Sequence, residues 1–116
     1  MLCPYTIIVK TTTQHVVVFV TAKDAAEARA ISKGLLESKL IACANMIGGV
    51  QSLFWWQGKI DEASEVLLVM KTKKALLKKL VAKVKVLHSY DTPEVIALPV
   101  MAGSTDYLKW IDESVS

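Results

Sequence analysis

Two apolar spacings alternate along the chain, and their order lays out the elements. His15–Thr21 (HVVVFVT) is a short, continuously apolar, β-branched run of the kind that forms a buried strand. Asp24 then opens Asp-Ala-Ala-Glu, a variant of the capping box with Glu27 three residues on. Ala28, Ile31 and Leu35 follow the helical period towards Leu40, with Arg29, Lys33 and Glu37 facing out. Gly34 inside this helix costs up to about 1 kcal/mol against alanine, so close packing is the expected reason for it.

A second strand is predicted from Ile41 to Ile47, interrupted by Gly48-Gly49 and resumed from Val50 to Trp56. Gln57-Gly58 turns the chain, and Ile60–Thr72 returns it, with a polar break at residues 61–64. These arms exceed the usual strand of about 5–6 residues, and a double glycine within one predicts a bulge or bend. Thr72 is placed to cap a helix whose Leu77, Leu80, Val81, Val84 and His88 share one face. A last strand spans Glu94–Val100, where Pro99 calls for a sheet edge or a strand end. Ser104 or Thr105 starts a closing helix with Tyr107, Leu108, Ile111 and Val115 inward. The order β-α-β-β-α-β predicts an α+β, ferredoxin-like sheet with a long extended hairpin and an extra C-terminal helix. Residues 15–116 form that domain. Residues 1–14 are an N-terminal extension without a pattern, in which Thr11–Thr13 reads as a linker.

Composition adds a partner to this picture. The chain has 116 residues, enough for one domain, and 53% of them are apolar while 22% are charged. So much aliphatic side chain exceeds what one small core hides, and the surplus points to a subunit interface. No apolar run reaches the roughly 18 residues that span a bilayer, so no membrane association is expected. Cys3 and Cys43 form neither a disulfide framework nor a CxxC pair, and the N-terminus lacks the features of a secretion signal. A reduced, cytoplasmic setting is the expectation.

Several functions that share this topology are excluded by their own residues. RNA-recognition sheets stack bases on strand aromatics, whereas Val66–Met70 carries none. A net charge of +3 is no nucleic-acid footprint, and the six lysines from Lys73 to Lys85 read as the solvated face of a helix. Metal-shuttling relatives need a CxxC loop, and acylphosphatase-like chemistry needs a loop arginine. The sole arginine, Arg29, lies within a helix. No phosphate loop, nucleophile elbow or HExxH motif is present, so an enzyme is not expected.

Among single residues, Cys43 in an apolar strand is either a small buried hydrophobe or a ligand. His88, ending a helix on its inner stripe, is either a satisfied core histidine or a ligand. Lys71 follows five apolar residues and needs a carboxylate or a cleft, with Glu65 and Glu94 as candidate partners. Tyr90 and Glu94 flank the rigid Pro93. Trp55 and Trp56 alternate across the hairpin, one expected within the sheet and the other against a neighbouring subunit.

Several short stretches follow one another in a fixed order and spacing: Val20-Thr21-Ala22-x-Asp24, Leu40-Ile41-Ala42-Cys43-Ala44-Asn45 and Trp56-x-Gly58-Lys59-Ile60. They continue with Glu65-Val66-Leu67-Leu68, Lys71-Thr72, His88-x-Tyr90-x-x-Pro93-Glu94-Val95-Ile96-Ala97-Leu98-Pro99 and Tyr107-Leu108-x-Trp110. In these stretches the segment from His15 to Val115 resembles the CutA divalent-cation tolerance family. The resemblance implies a homotrimer in which hairpins carrying Phe54, Trp55, Trp56 and Ile60 reach neighbouring subunits. It implies a link to divalent-cation tolerance, above all copper, and in animal relatives to acetylcholinesterase localisation. It also implies similarity to PII signalling trimers, which hold small ligands between subunits. Cys43, Trp56, Lys71, His88, Tyr90 and Glu94 make up the candidate inter-subunit cleft for a metal ion or small ligand, with His88 and Cys43 as its candidate donors for copper or another divalent metal. Bacterial members are credited with a cysteine and two adjacent histidines as copper ligands; the matching positions are Val20, Leu87 and His88.

Overall fold

A computed structural model describes residues 8–116; Cys3 and the first half of the N-terminal extension lie outside them. The strands are β1 (Val9–Thr11), β2 (His15–Ala22), β3 (Cys43–Trp56), β4 (Lys59–Lys73), β5 (Val95–Pro99) and β6 (Ala102–Ser104). The helices are α1 (Ala25–Glu37), α2 (Leu77–Leu87, entered through a short 3-10 turn at Lys74–Leu76) and α3 (Thr105–Ser114). Four strands make one antiparallel sheet in the order β3-β4-β2-β5, which is the expected ferredoxin-like arrangement. Pro99 sits on edge strand β5, where its missing N–H is harmless.

Alternation along β2 and β4 sends one side chain set inward. Val16, Val18, Val20, Leu68, Met70 and Thr72 are buried beneath α1 and α2, which contribute Ala28, Ile31, Leu35, Leu80 and Val84. A Cβ on Gly34 would come within 2.7 Å of a Leu87 methyl, so the glycine leaves room for α2 to pack closely on α1 there. Asp24 caps α1 by accepting from the Glu27 N–H at 2.8 Å. The return half of the capping box is shifted by one residue, for Glu27 accepts from the Lys23 N–H rather than from that of Asp24. Ser104 caps α3 through the Tyr107 N–H, as expected. Thr72 does not cap α2. Its fully buried hydroxyl instead donates to the Leu40 carbonyl at 2.7 Å, closing the loop after α1 onto the sheet.

The hairpin gives the molecule its length, 61 Å against 26 and 23 Å in the other two directions. Between Ile47 and Val50 the register slips, with three steps on β3 facing two on β4, so Gly48-Gly49 forms the expected bulge and Gly49 takes φ +75°. Gln57 and Gly58 both have positive φ, the requirement of a two-residue type I′ turn. Residues 61–64 cause no break; they belong to one continuous arm paired with Gln51–Phe54.

Two short strands escape sequence pattern. β1 pairs with β6, Thr11 against Ala102 and Val9 against Ser104, so Thr11 is paired backbone rather than linker. Three residues are too few for a period to register.

Candidate functional site

The sheet face opposite α1 and α2 carries the chemistry. Register places Val17, Cys43 and Lys71 side by side on it, because paired residues share a face. α3 crosses one end of this face: the Tyr107 hydroxyl lies 3.6 Å from Cys43 Sγ, and Asp112 meets His15. Lys71 Nζ donates to the side-chain carbonyl oxygen of Asn45, two residues along β3 from its own partner Cys43. Neither Glu65 nor Glu94 takes the lysine, contrary to the expectation from sequence. Asn45 does so because alternation returns it to the same face.

His88, Tyr90, Glu27 and Glu65 form a second group around the end of β2. The His88 ring is fully buried. Its Nε2 lies 2.7 Å from the Thr21 carbonyl, and its Nδ1 receives the Tyr90 N–H at 3.0 Å. A carbonyl only accepts and an amide N–H only donates, so the ring is neutral with its proton on Nε2. Both nitrogens are engaged, and His88 offers no lone pair to a metal in this geometry. The reading of a satisfied core histidine therefore holds within the chain. The Tyr90 hydroxyl donates to Glu65 at 2.9 Å, and Glu27 accepts from the Ser89 N–H at 3.0 Å.

Burial pushes the Glu27 carboxyl up, but hydrogen bonds from Ser89 and the Lys23 backbone outweigh it and hold the group below its ordinary 4.5. A carboxylate depressed on folding stabilises the protein above its unfolded value, and that contribution disappears as pH falls through the folded value. Thermal melts from pH 6 to pH 3 should therefore show a decline that is shallower in Glu27→Gln. Parallel slopes in the two proteins would remove Glu27 from the acid response.

Burial and the Glu65 carboxylate push the Tyr90 phenol up to about 12, since ionising it would place two negative charges together. Burial, with a smaller contribution from Cys43, raises Tyr107 to about 12 as well. Ultraviolet titration should find two tyrosines that stay protonated well past pH 10. Tyr90→Phe should cost about 1–3 kcal/mol by stranding buried Glu65, and the added change Glu65→Gln should recover part of it. A Tyr90→Phe protein as stable as the unmodified one would break this assignment.

The six cleft residues expected from sequence thus separate within one chain. Cys43 and Lys71 are cross-strand partners. His88 and Tyr90 lie with Glu65, which is six residues from Lys71 along extended β4, roughly 20 Å at about 3.4 Å per residue. Glu94 is exposed, and Trp56 lies at the hairpin tip, 56% exposed. Among the described residues no group of three or more His, Cys, Asp or Glu side chains could hold a metal ion. The donors of a single chain therefore do not fit a closed copper site. Sequence reasoning missed Asn45 and Tyr107, and it read Glu27 only as a helix cap; two-residue alternation from Cys43 was the available signal for Asn45.

The hairpin carries the other functional surface. Leu53, Trp55 and Ile60 share one face at 66%, 74% and 67% exposure, while Phe54 and Trp56 share the other. Neither tryptophan packs within the chain, contrary to the expectation that one would. Ile47, Ile96 and Leu98 extend the apolar surface over the open sheet face.

An α+β ferredoxin-like sheet with a projecting apolar hairpin defines a class of small proteins built around this framework. The profile of the CutA1 divalent ion tolerance protein family matches residues 16–114, and the chain belongs to that family. The divalent-cation tolerance protein CutA of Archaeoglobus fulgidus is 42% identical over 101 residues, covering 87% of this chain and 98% of its own. A chloroplastic CutA 1 protein of rice is 40% identical over 104 residues, covering 90% of this chain. This chain spans 59% of that protein's length and 57% of the related chloroplastic protein of Arabidopsis thaliana. The crystal structure of CutA1 from Oryza sativa superposes with a TM-score of 0.87 at 39% identity, covering 92% of this chain and 98% of its own. Among the described residues no helix is long and apolar enough to cross a membrane.

Proposed function

We propose that this protein works as a homotrimeric, non-enzymatic binding and regulatory protein in divalent-metal tolerance, with copper as the first metal to consider. The observation that carries the reading is the hairpin, whose large apolar side chains stand largely exposed in one chain. Hairpins of three copies laid against one another's open sheet faces would cover Leu53, Trp55, Ile60, Ile96 and Leu98 together. The same association would bring Trp56 and Glu94 towards residues of a neighbouring copy and so build a cleft that one subunit lacks. A cytoplasmic setting goes with this reading and with the unpaired Cys43.

A second reading is favoured by the engaged nitrogens of His88. In it, the trimer is an interaction scaffold or a PII-like signalling particle that binds a small ligand and little metal. Among the described residues Lys71 has no carboxylate within salt-bridge distance, and in this reading it supplies the positive charge for an anionic ligand. Titrating the assembled protein with copper decides between them. Stoichiometric binding weakened by Cys43→Ser supports metal handling. Weak binding unchanged in Cys43→Ser and His88→Ala removes both residues as ligands and leaves the second reading.

A further inference from the structure

At the α3 end of the same sheet face, a threonine, a histidine and an aspartate stand in line. Thr12 Oγ1 lies 2.5 Å from His15 Nδ1, and His15 Nε2 lies 2.8 Å from Asp112 Oδ1. A carboxylate only accepts, so Nε2 carries a proton towards Asp112, and in the neutral tautomer Nδ1 is left as the base towards the Thr12 hydroxyl. His15 is 4% exposed, and Asp112 anchors it from α3, so the ring is fixed in orientation. This is the relation of nucleophile, base and orienting acid that activates a hydroxyl, with the two ring nitrogens exchanged relative to the serine-protease arrangement.

The hydroxyl is placed to react outward. The Gln14 N–H donates to Thr12 Oγ1 at 3.1 Å and occupies one lone pair, the hydroxyl proton points to His15, and one lone pair remains. Thr12 lines a cleft of about 580 Å³ together with Lys10, His15, Lys73 and Asp112. Two lysines on the wall favour an anionic reactant and oppose the charge that builds on an attacked carbonyl oxygen. Thr12 and His15 precede residue 16, where the match to the family profile begins, whereas Asp112 and Lys73 lie within it.

We infer that Thr12 is an acyl-accepting site, self-modified by small acyl phosphates bound between Lys10 and Lys73. Thr12 Oγ1 bonds to the carbonyl carbon while His15 Nδ1 takes the hydroxyl proton. Collapse of the intermediate breaks the bond between that carbon and the bridging phosphate oxygen. The departing phosphate takes the proton back from His15. The products are an O-acyl threonine and inorganic phosphate, with Asp112 holding the ring throughout. Asp112 acts as a positioning residue, because it touches His15 and not the acyl group.

The test incubates the full-length protein with acetyl phosphate at pH 8 and maps acetylated peptides by mass spectrometry over time. Expected is an acetyl group on Thr12 that forms at least ten-fold faster than on any surface lysine. Thr12→Val should abolish it, Thr12→Ser should keep it, and Asp112→Asn should slow it by ten-fold or more with circular dichroism unchanged. Neutral p-nitrophenyl acetate should lose the preference for Thr12 conferred by the lysines. Acetylation confined to lysines, or a Thr12 rate equal in Asp112→Asn, overturns the proposal. If Asp112→Asn does not fold, the comparison of Thr12→Ser with Thr12→Val still decides it.

Discussion

Trp55→Ser combined with Ile60→Ser is expected to dissociate the particle and leave no well-folded subunit. The two residues face each other across the hairpin, and in one chain they are 74% and 67% exposed. Replacing them therefore removes almost no contact within a chain, and a monomeric protein would tolerate the change. If three hairpins exchange these groups, each buried side chain is worth roughly 1.5–3 kcal/mol. Six of them across a trimer then amount to about 9–18 kcal/mol, and association and folding become one transition. Sedimentation equilibrium should find the unmodified chain at three times its 12.7 kDa and its melting temperature rising with concentration. A folded 12.7 kDa species persisting at micromolar concentration would sink the trimer and the cleft built on it.

His88→Ala is expected to cost about 3–5 kcal/mol without changing copper affinity. Removing a fully buried ring opens a cavity and strands two partners, the Thr21 carbonyl and the Tyr90 N–H. Each stranded group costs about 1–3 kcal/mol, and the cavity adds to it. The loop from Ser89 to Glu94 hangs on these bonds, so hydrogen exchange should speed up there before it does in α1. Denaturation in urea measures the first effect and calorimetric titration the second. A stable His88→Ala protein with lost copper binding would reverse the assignment and make the ring a ligand.

Lys71 shows how far a sequence argument reaches. That a lysine after five apolar residues needs a partner follows from the cost of burying charge. Which partner it finds depends on register, and the pairing of Lys71 with Cys43 hands it to Asn45 rather than to a glutamate. The same limit applies to Thr72, whose hydroxyl suits a helix cap by type but meets the Leu40 carbonyl first.

The sequence by itself determined the order of elements, the bulge at Gly48-Gly49, the turn at Gln57-Gly58, both working caps and the family. These are local properties, set by side-chain spacing and backbone freedom within a few residues. Tertiary structure alone decided the pairing of β1 with β6, the closed hydrogen bonding of His88, the parting of the six cleft residues and the line from Thr12 to Asp112. Each depends on at least one contact between positions distant in the chain, as His15 and Asp112 are, 97 residues apart. Such contacts exist only once sheet register and helix docking have brought the two segments together, and no spacing along a single chain encodes them.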